Sequence, residues 1–298
     1  MKKTVHACAA IALLAFASGS FAAEMGPTLQ KIKDTGVITL GVRDSSVPFN
    51  YNLGGVRQVG YSYDINMKIV EAVKGQLKLP SLQVREIPIT SQNRISLLQN
   101  GTIDIECGST TNNLERQKQV AFSNTIFIIG TRLLTRKDSG VKDWADLKGR
   151  NVVVTAGTTS ERLLRKMNDD QKLAMNIISA KDHGQSFLTL DSGRAVAFMN
   201  DDAILYGERA KAKNPNEWVV VAKPQTQEAY GCMLRKDDAS FKKVADQVIA
   251  GLMKDGSINA MYTKWFTQPV PPRGFSVDFP MSDEMKALIR NPNDKALD

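Results

Sequence analysis

Histidine is almost missing from this chain: His6 and His183 are the only two in 298 residues. That scarcity excludes a multi-histidine metal centre. Cysteine is scarce too, with Cys8, Cys107 and Cys232 alone, none of them at metal-ligand spacing. No G-x-S-x-G, P-loop or H-E-x-x-H pattern occurs, so the common hydrolase, nucleotide and zinc-protease signatures are excluded. Beyond the N-terminal segment, no apolar run approaches the roughly 20 residues that a membrane helix needs. Dense basic tracts are absent as well. The net charge is +8, but Lys and Arg are interleaved with acids. This argues against nucleic acid and leaves small anions as the natural partner.

The first residues are of a different kind. Lys2 and Lys3 precede an apolar stretch from Ala7 to Phe16, and Ser20-Phe21-Ala22 places small residues where a signal peptidase reads them. Residues 1–22 therefore read as a secretory signal, cleaved after Ala22 or one residue later, and the mature chain is expected in the periplasm. Losing the signal removes two lysines and no acid, so the charge becomes 8 − 2 = +6. Cys107 and Cys232 remain. In an oxidising compartment such a pair more readily forms a disulfide than serves as a catalytic thiol. Two buried free thiols are the alternative.

Along the mature chain, Ile65, Ile69, Val73 and Leu77 recur at four-residue spacing, which predicts a helix over 64–79. Segments 37–42, 82–87 and 102–107 read as strands, and 94–100 as a short helix closed by Gly101. This β-α-β-α-β order is the grammar of a parallel sheet covered by helices. A β-branched run over 126–135 predicts a long strand, after which the grammar restarts. Strands over 151–155, 176–180, 195–199 and 218–222 alternate with helices, the first opened by Thr158 and Glu161 at capping-box spacing. The last part is helical, with Phe241, Val244, Val248 and Leu252 on one face. Helices without a sheet of their own must pack on one already built. The expectation is an α/β protein of two lobes: a discontinuous first lobe (27–127 and 230–298), an inserted second lobe (128–229), and two crossing strands. The cleft between them suits ligand capture by hinge closure.

Polar residues gather just after the expected strands, where α/β sheets place ligands. They are Arg43, Ser91, Arg94, Ser109, Thr111 and Arg116 in the first unit, and Thr159, His183 and Asp201 in the second. Each has a plainer reading. The arginines could be solvated surface charges, His183 a turn residue, and Asp201 a helix cap, with Asp202 beside it as an equal candidate. Free glutamate or aspartate presents two carboxylates and one ammonium. Three guanidinium groups and one carboxylate match that count better than they match a neutral or basic amino acid.

The stretches TSQNRISLLQNGTIDIECGSTTNN, SAKDHG, SGRAVAFMNDD and EAYGCMLRKDD resemble the polar-amino-acid family of solute-binding proteins that serve ABC transporters, its glutamate/aspartate-binding members above all. The resemblance covers essentially the whole mature chain. It implies a type II periplasmic-binding-protein fold, no cofactor, and a monomer that delivers L-glutamate or L-aspartate to an inner-membrane permease. It further implies that Arg116 holds the α-carboxylate with help from Thr111 and Thr159, and that Asp201 takes the α-ammonium. Arg43, Ser91, Arg94 and His183 would surround the side-chain carboxylate, with Ser109 nearby. The rival is an enzyme: periplasmic dehydratases of cyclic carboxylic acids use the same two-lobed fold. Such an enzyme needs a general acid or base, for which only His183, Asp201 and Asp202 qualify.

Overall fold

Two strands tie the molecule together. Val120–Arg136 runs for 17 residues, and Gln227–Arg235 lies antiparallel to its first half. In this computed structural model, which describes residues 25–55, 57–272 and 274–297, both belong to one ten-stranded sheet. The expected signal, residues 1–22, lies outside the described residues.

On one side of this pair, Val37–Arg43 is parallel to both Gln83–Ile89 and Ile105–Glu106, and the last joins Gln227–Arg235. On the other side, the second half of Val120–Arg136 pairs with Ala197–Asp201 and Trp218–Val221. Asn151–Thr155 then lies between Ala197–Asp201 and Asn176–Ala180. Two α/β units thus share one continuous sheet through the long strands.

Each unit has its own apolar core. Helix Tyr61–Leu77 buries Ile65, Ile69 and Val73 beside Leu40 and Val42 of the first strand. The C-terminal helix Ala239–Lys254 adds Phe241, Val244, Ile249 and Leu252 to that same cluster. In the second unit, Val152, Val154, Leu164 and Met199 form one core face, and Phe187, Phe198, Leu205 and Trp218 the other. Each such aliphatic or aromatic side chain contributes roughly 1.5–3 kcal/mol by leaving water. Cys107 and Cys232 are joined as a disulfide, 125 residues apart in sequence.

Strand bounds differ from the sequence expectation, as where 195–199 becomes Ala197–Asp201, and in two cases the reason lies outside the local pattern. The long strand begins at Val120 rather than at 126, because Val120 and Phe122 pair with Arg235 and Met233 across the sheet, a contact that no local pattern reveals. The strand expected over 102–107 shrinks to Ile105–Glu106. Asp104 leaves the ladder: its buried carboxylate accepts the Thr39 amide at 2.8 Å and pairs with Lys31 at 2.6 Å. Phe49 lies edge-on to Phe127 and Tyr230 in the core.

Candidate ligand-binding cleft

A strand end and two short helices of the first unit bring three guanidinium groups into the protein. Arg43, Arg94 and Arg116 are 1%, 2% and 4% exposed, which removes the reading of them as solvated surface charges. Arg43 closes its strand, and its Nη2 donates to Ser91 Oγ at 2.8 Å. Arg94 opens the helix Arg94–Gln99, and its Nη1 donates to the Ser109 carbonyl at 3.1 Å and to Thr110 Oγ1. Thr110 Oγ1 in turn donates a hydrogen bond to Glu106 Oε2 at 2.6 Å. Arg43 Nη1 and Arg94 Nε are buried and meet no acceptor among the described residues. Burial, then the like charge of Arg94, lowers Arg43 to about 10. Burial likewise lowers Arg94, with the Glu106 carboxylate opposing. Two desolvated guanidinium groups side by side make this end of the cleft suited to an anion.

His183 comes from the second unit, at the start of helix His183–Asp191, and is buried. The Asn200 amide is oriented by the Asp201 N–H, which occupies its Oδ1 at 2.9 Å. Its Nδ2 therefore donates to His183 Nδ1, also at 2.9 Å. With Nδ1 accepting, the imidazole proton resides on Nε2, 3.5 Å from Arg43 Nη2. Two donors thus face the same small volume. Burial, followed by the charges of Arg43 and Arg94, holds His183 well below its usual range, so the ring stays neutral. Ser91, Arg43, His183, Arg94 and Ser109 form one end of the cleft.

The other end centres on Arg116, Thr111, Thr159 and Asp201. Arg116 Nη1 donates to the Thr111 carbonyl at 2.9 Å, and Nη2 to the Gly157 carbonyl at 3.3 Å. Burial, with Arg94 and Arg162, lowers Arg116 to about 9. Asp201 stands at the N-cap of helix Asp202–Lys211 but makes no side-chain cap. Its carboxylate instead accepts Ser160 Oγ at 3.3 Å and a short hydrogen bond from the Tyr230 hydroxyl. Asp202 takes the local role, its Oδ1 accepting the Ala203 amide at 2.8 Å. Asp201 is therefore the member of the pair that joins the cluster. Burial and the neighbouring Glu228 push its carboxyl up to about 8.

The structure brings all nine expected residues together, and eight of them are buried, Thr159 being the half-exposed one. A cavity of about 580 Å³ reaches the cluster only at Thr111, Thr159 and Glu228. Sequence reasoning passed over Glu106, Glu228 and Tyr230. An acid in the apolar strand of TIDIECG was a usable signal, because a buried carboxylate needs donors. Glu228 carried none, since it reads as ordinary alternation in a strand.

Contacts also run directly between the two units. Ser45 Oγ donates to Asp182 Oδ1 at 3.2 Å and accepts the Gly184 amide at 3.3 Å. Arg162 forms an ion pair with Glu115. Gly207 packs so closely on Val47 that a Cβ there would lie 2.3 Å from the Val47 carbonyl oxygen. The two units are closed on each other around the cluster.

Two α/β units on one continuous sheet, with a charged cleft enclosed between them, define the type II periplasmic-binding-protein fold. The chain belongs to the bacterial extracellular solute-binding proteins, family 3, which match residues 38–268. It is 62% identical over 275 residues to the L-glutamate/L-aspartate-binding protein of Pseudomonas aeruginosa, covering 92% of this chain and 91% of that one. It is 63% identical over 272 residues to the glutamate/aspartate import solute-binding protein of Escherichia coli, covering 91% and 90%. Among solved structures, an ArgBP variant from T. maritima superposes with a TM-score of 0.72 at 26% identity, covering 80% of this chain and 99% of that one. No helix among the described residues is long and apolar enough to cross a membrane.

Proposed function

We propose that this protein captures free L-glutamate or L-aspartate by closing its two lobes and delivers it to the inner-membrane permease of an ABC transporter. The observation that carries this reading is the division of the cleft into two cationic ends, with the Asp201 carboxylate at the Arg116 end. Arg43, Arg94 and the Nε2–H of His183, with Ser91 and Ser109, take the side-chain carboxylate. Arg116, with Thr111 and Thr159, takes the α-carboxylate end, and Asp201 takes the ammonium. The lobes are 27–127 with 230–298, and 128–229. Residues 1–22 act as the export signal, and the mature protein works in the periplasm as a monomer.

The alternative of a dehydratase acting on a cyclic acid gives way, because the relatives at 62% and 63% identity are named as binding proteins. His183 and Asp201, the candidate acid–base pair, are already engaged in ligand recognition under this reading. Thermal melting of ligand-stripped protein against the twenty common amino acids tests it. L-Glutamate and L-aspartate are expected to raise the melting temperature, and Arg94→Ala to abolish that rise while the ligand-free melt remains cooperative. Stabilisation by basic or neutral amino acids alone would sink the proposal.

A further inference from the structure

Glu228 lies on the crossing strand Gln227–Arg235, is 5% exposed, and has four threonine hydroxyls within hydrogen-bond distance of its carboxylate. Thr226 and Thr131 lie 2.9 and 3.1 Å from its Oε1 and 2.7 Å from each other, so one donates to the carboxylate and the other to its neighbour. Thr111 from the first unit and Thr159 from the second serve its Oε2 at 2.7 and 2.8 Å. An ionised carboxylate only accepts, and a hydroxyl has one proton to give. The protons of Thr111 and Thr159 are thereby committed to Glu228. Their oxygens, 3.4 Å apart, can offer nothing but lone pairs to whatever lies in the cleft.

We propose that Glu228 is a positioning residue for ligand selection: it turns the Thr111 and Thr159 hydroxyls into acceptors and so makes this part of the cleft a socket for the ligand's ammonium group. The inference rests on the amino-acid reading given above. It revises the role given to Thr111 and Thr159 above, since these hydroxyls cannot then donate to the α-carboxylate, which is left to Arg116. The device also couples recognition to closure. Thr159 and Glu228 both fall within 128–229, whereas Thr111 belongs to 27–127, so the two hydroxyls come side by side as the lobes meet. With Asp201 nearby, the ammonium meets acceptors alone, and a ligand that is all carboxylate meets lone pairs where it needs donors. Glu228 acts through the two hydroxyls, so its effect on binding depends on their presence.

The test is calorimetric titration of L-glutamate into ligand-stripped wild type, Glu228→Gln, Thr111→Val and the double variant. The glutamine amide brings N–H donors that force a hydroxyl proton toward the ligand. E228Q is expected to raise Kd at least tenfold in the wild-type background and by a smaller factor, at most about threefold, where Thr111 is already Val, because only the Thr159 hydroxyl is then left to misdirect. An equal penalty in both backgrounds would mark a merely structural role and overturn the proposal, as would an E228Q affinity within twofold of wild type. Glu228→Asp is the second variant should E228Q not fold. It keeps the charge but shortens the reach, and is expected to weaken binding severalfold; full affinity in E228D would overturn the proposal as well. Failure of the wild type itself to bind either acid would remove the underlying functional reading. Binding by wild type with no effect of these variants would remove this inference alone.

Discussion

At Asp201 a carboxyl group is buried beside Glu228 and pushed up to about 8, whereas the same group in an unfolded chain titrates near about 4. Between those values the ligand-free folded protein holds a proton that the unfolded chain has released. Its stability therefore falls as pH rises through that window. Asp201→Asn, neutral at every pH, is expected to melt several degrees above wild type at pH 8 without ligand. The gain should shrink as pH falls toward 5, where Asp201 is itself protonated. The same variant should bind L-glutamate at least about tenfold more weakly, because the ammonium loses its charged partner. A pH-independent difference in melting would contradict this account. Arg43, Arg94, Arg116 and Asp201 were legible in the sequence because they lie at or shortly after strand ends, a position that needs no knowledge of distant contacts. Glu228 was not, because its meaning comes from hydroxyls at 111, 131 and 159, far away in the chain.

Among the elements, the crossing strands matter most, and the Cys107–Cys232 disulfide ties one of them to the segment that presents Ser109 and Thr111. The bond closes a loop of 125 residues. On chain-entropy grounds such a loop contributes about 4–5 kcal/mol, with measured effects of native disulfides nearer 2–5 kcal/mol. Replacing both cysteines by alanine should lower the urea-unfolding free energy by about 2–5 kcal/mol. L-Glutamate affinity should change little, since neither sulfur reaches the cluster. Unchanged stability would show that the bridge is dispensable. Helices were read closely from periodicity, as with Ile65, Ile69 and Val73 on helix Tyr61–Leu77. The start of the long strand was not, because its first residues are held by pairing with 233–235 rather than by any local alternation.

For the whole molecule, closure is the event on which function turns, and Gly207 is placed to report it. It lies on helix Asp202–Lys211 against Val47 of the opposite unit, where a Cβ would sit 2.3 Å from a backbone oxygen. Gly207→Ala should leave the open, ligand-free protein as stable as wild type or slightly more so, since alanine is favoured in helices by about 1 kcal/mol. It should nevertheless raise Kd for L-glutamate at least about tenfold and stop the radius of gyration from shrinking when ligand is added, as read by small-angle scattering. A variant that closes and binds normally would show that this contact does not gate closure.

The central claim concerns charge matching at both ends of the cleft, and its most direct test is titration calorimetry of ligand-stripped protein with L-glutamate and then L-glutamine. The two ligands are nearly isosteric, but the amide turns N–H groups toward Arg43, Arg94 and the Nε2–H of His183 and leaves buried donors unpaired. The account predicts tight binding of L-glutamate and an affinity for L-glutamine lower by on the order of 100-fold or more. Equal affinity for the two, or a preference for glutamine, would contradict it.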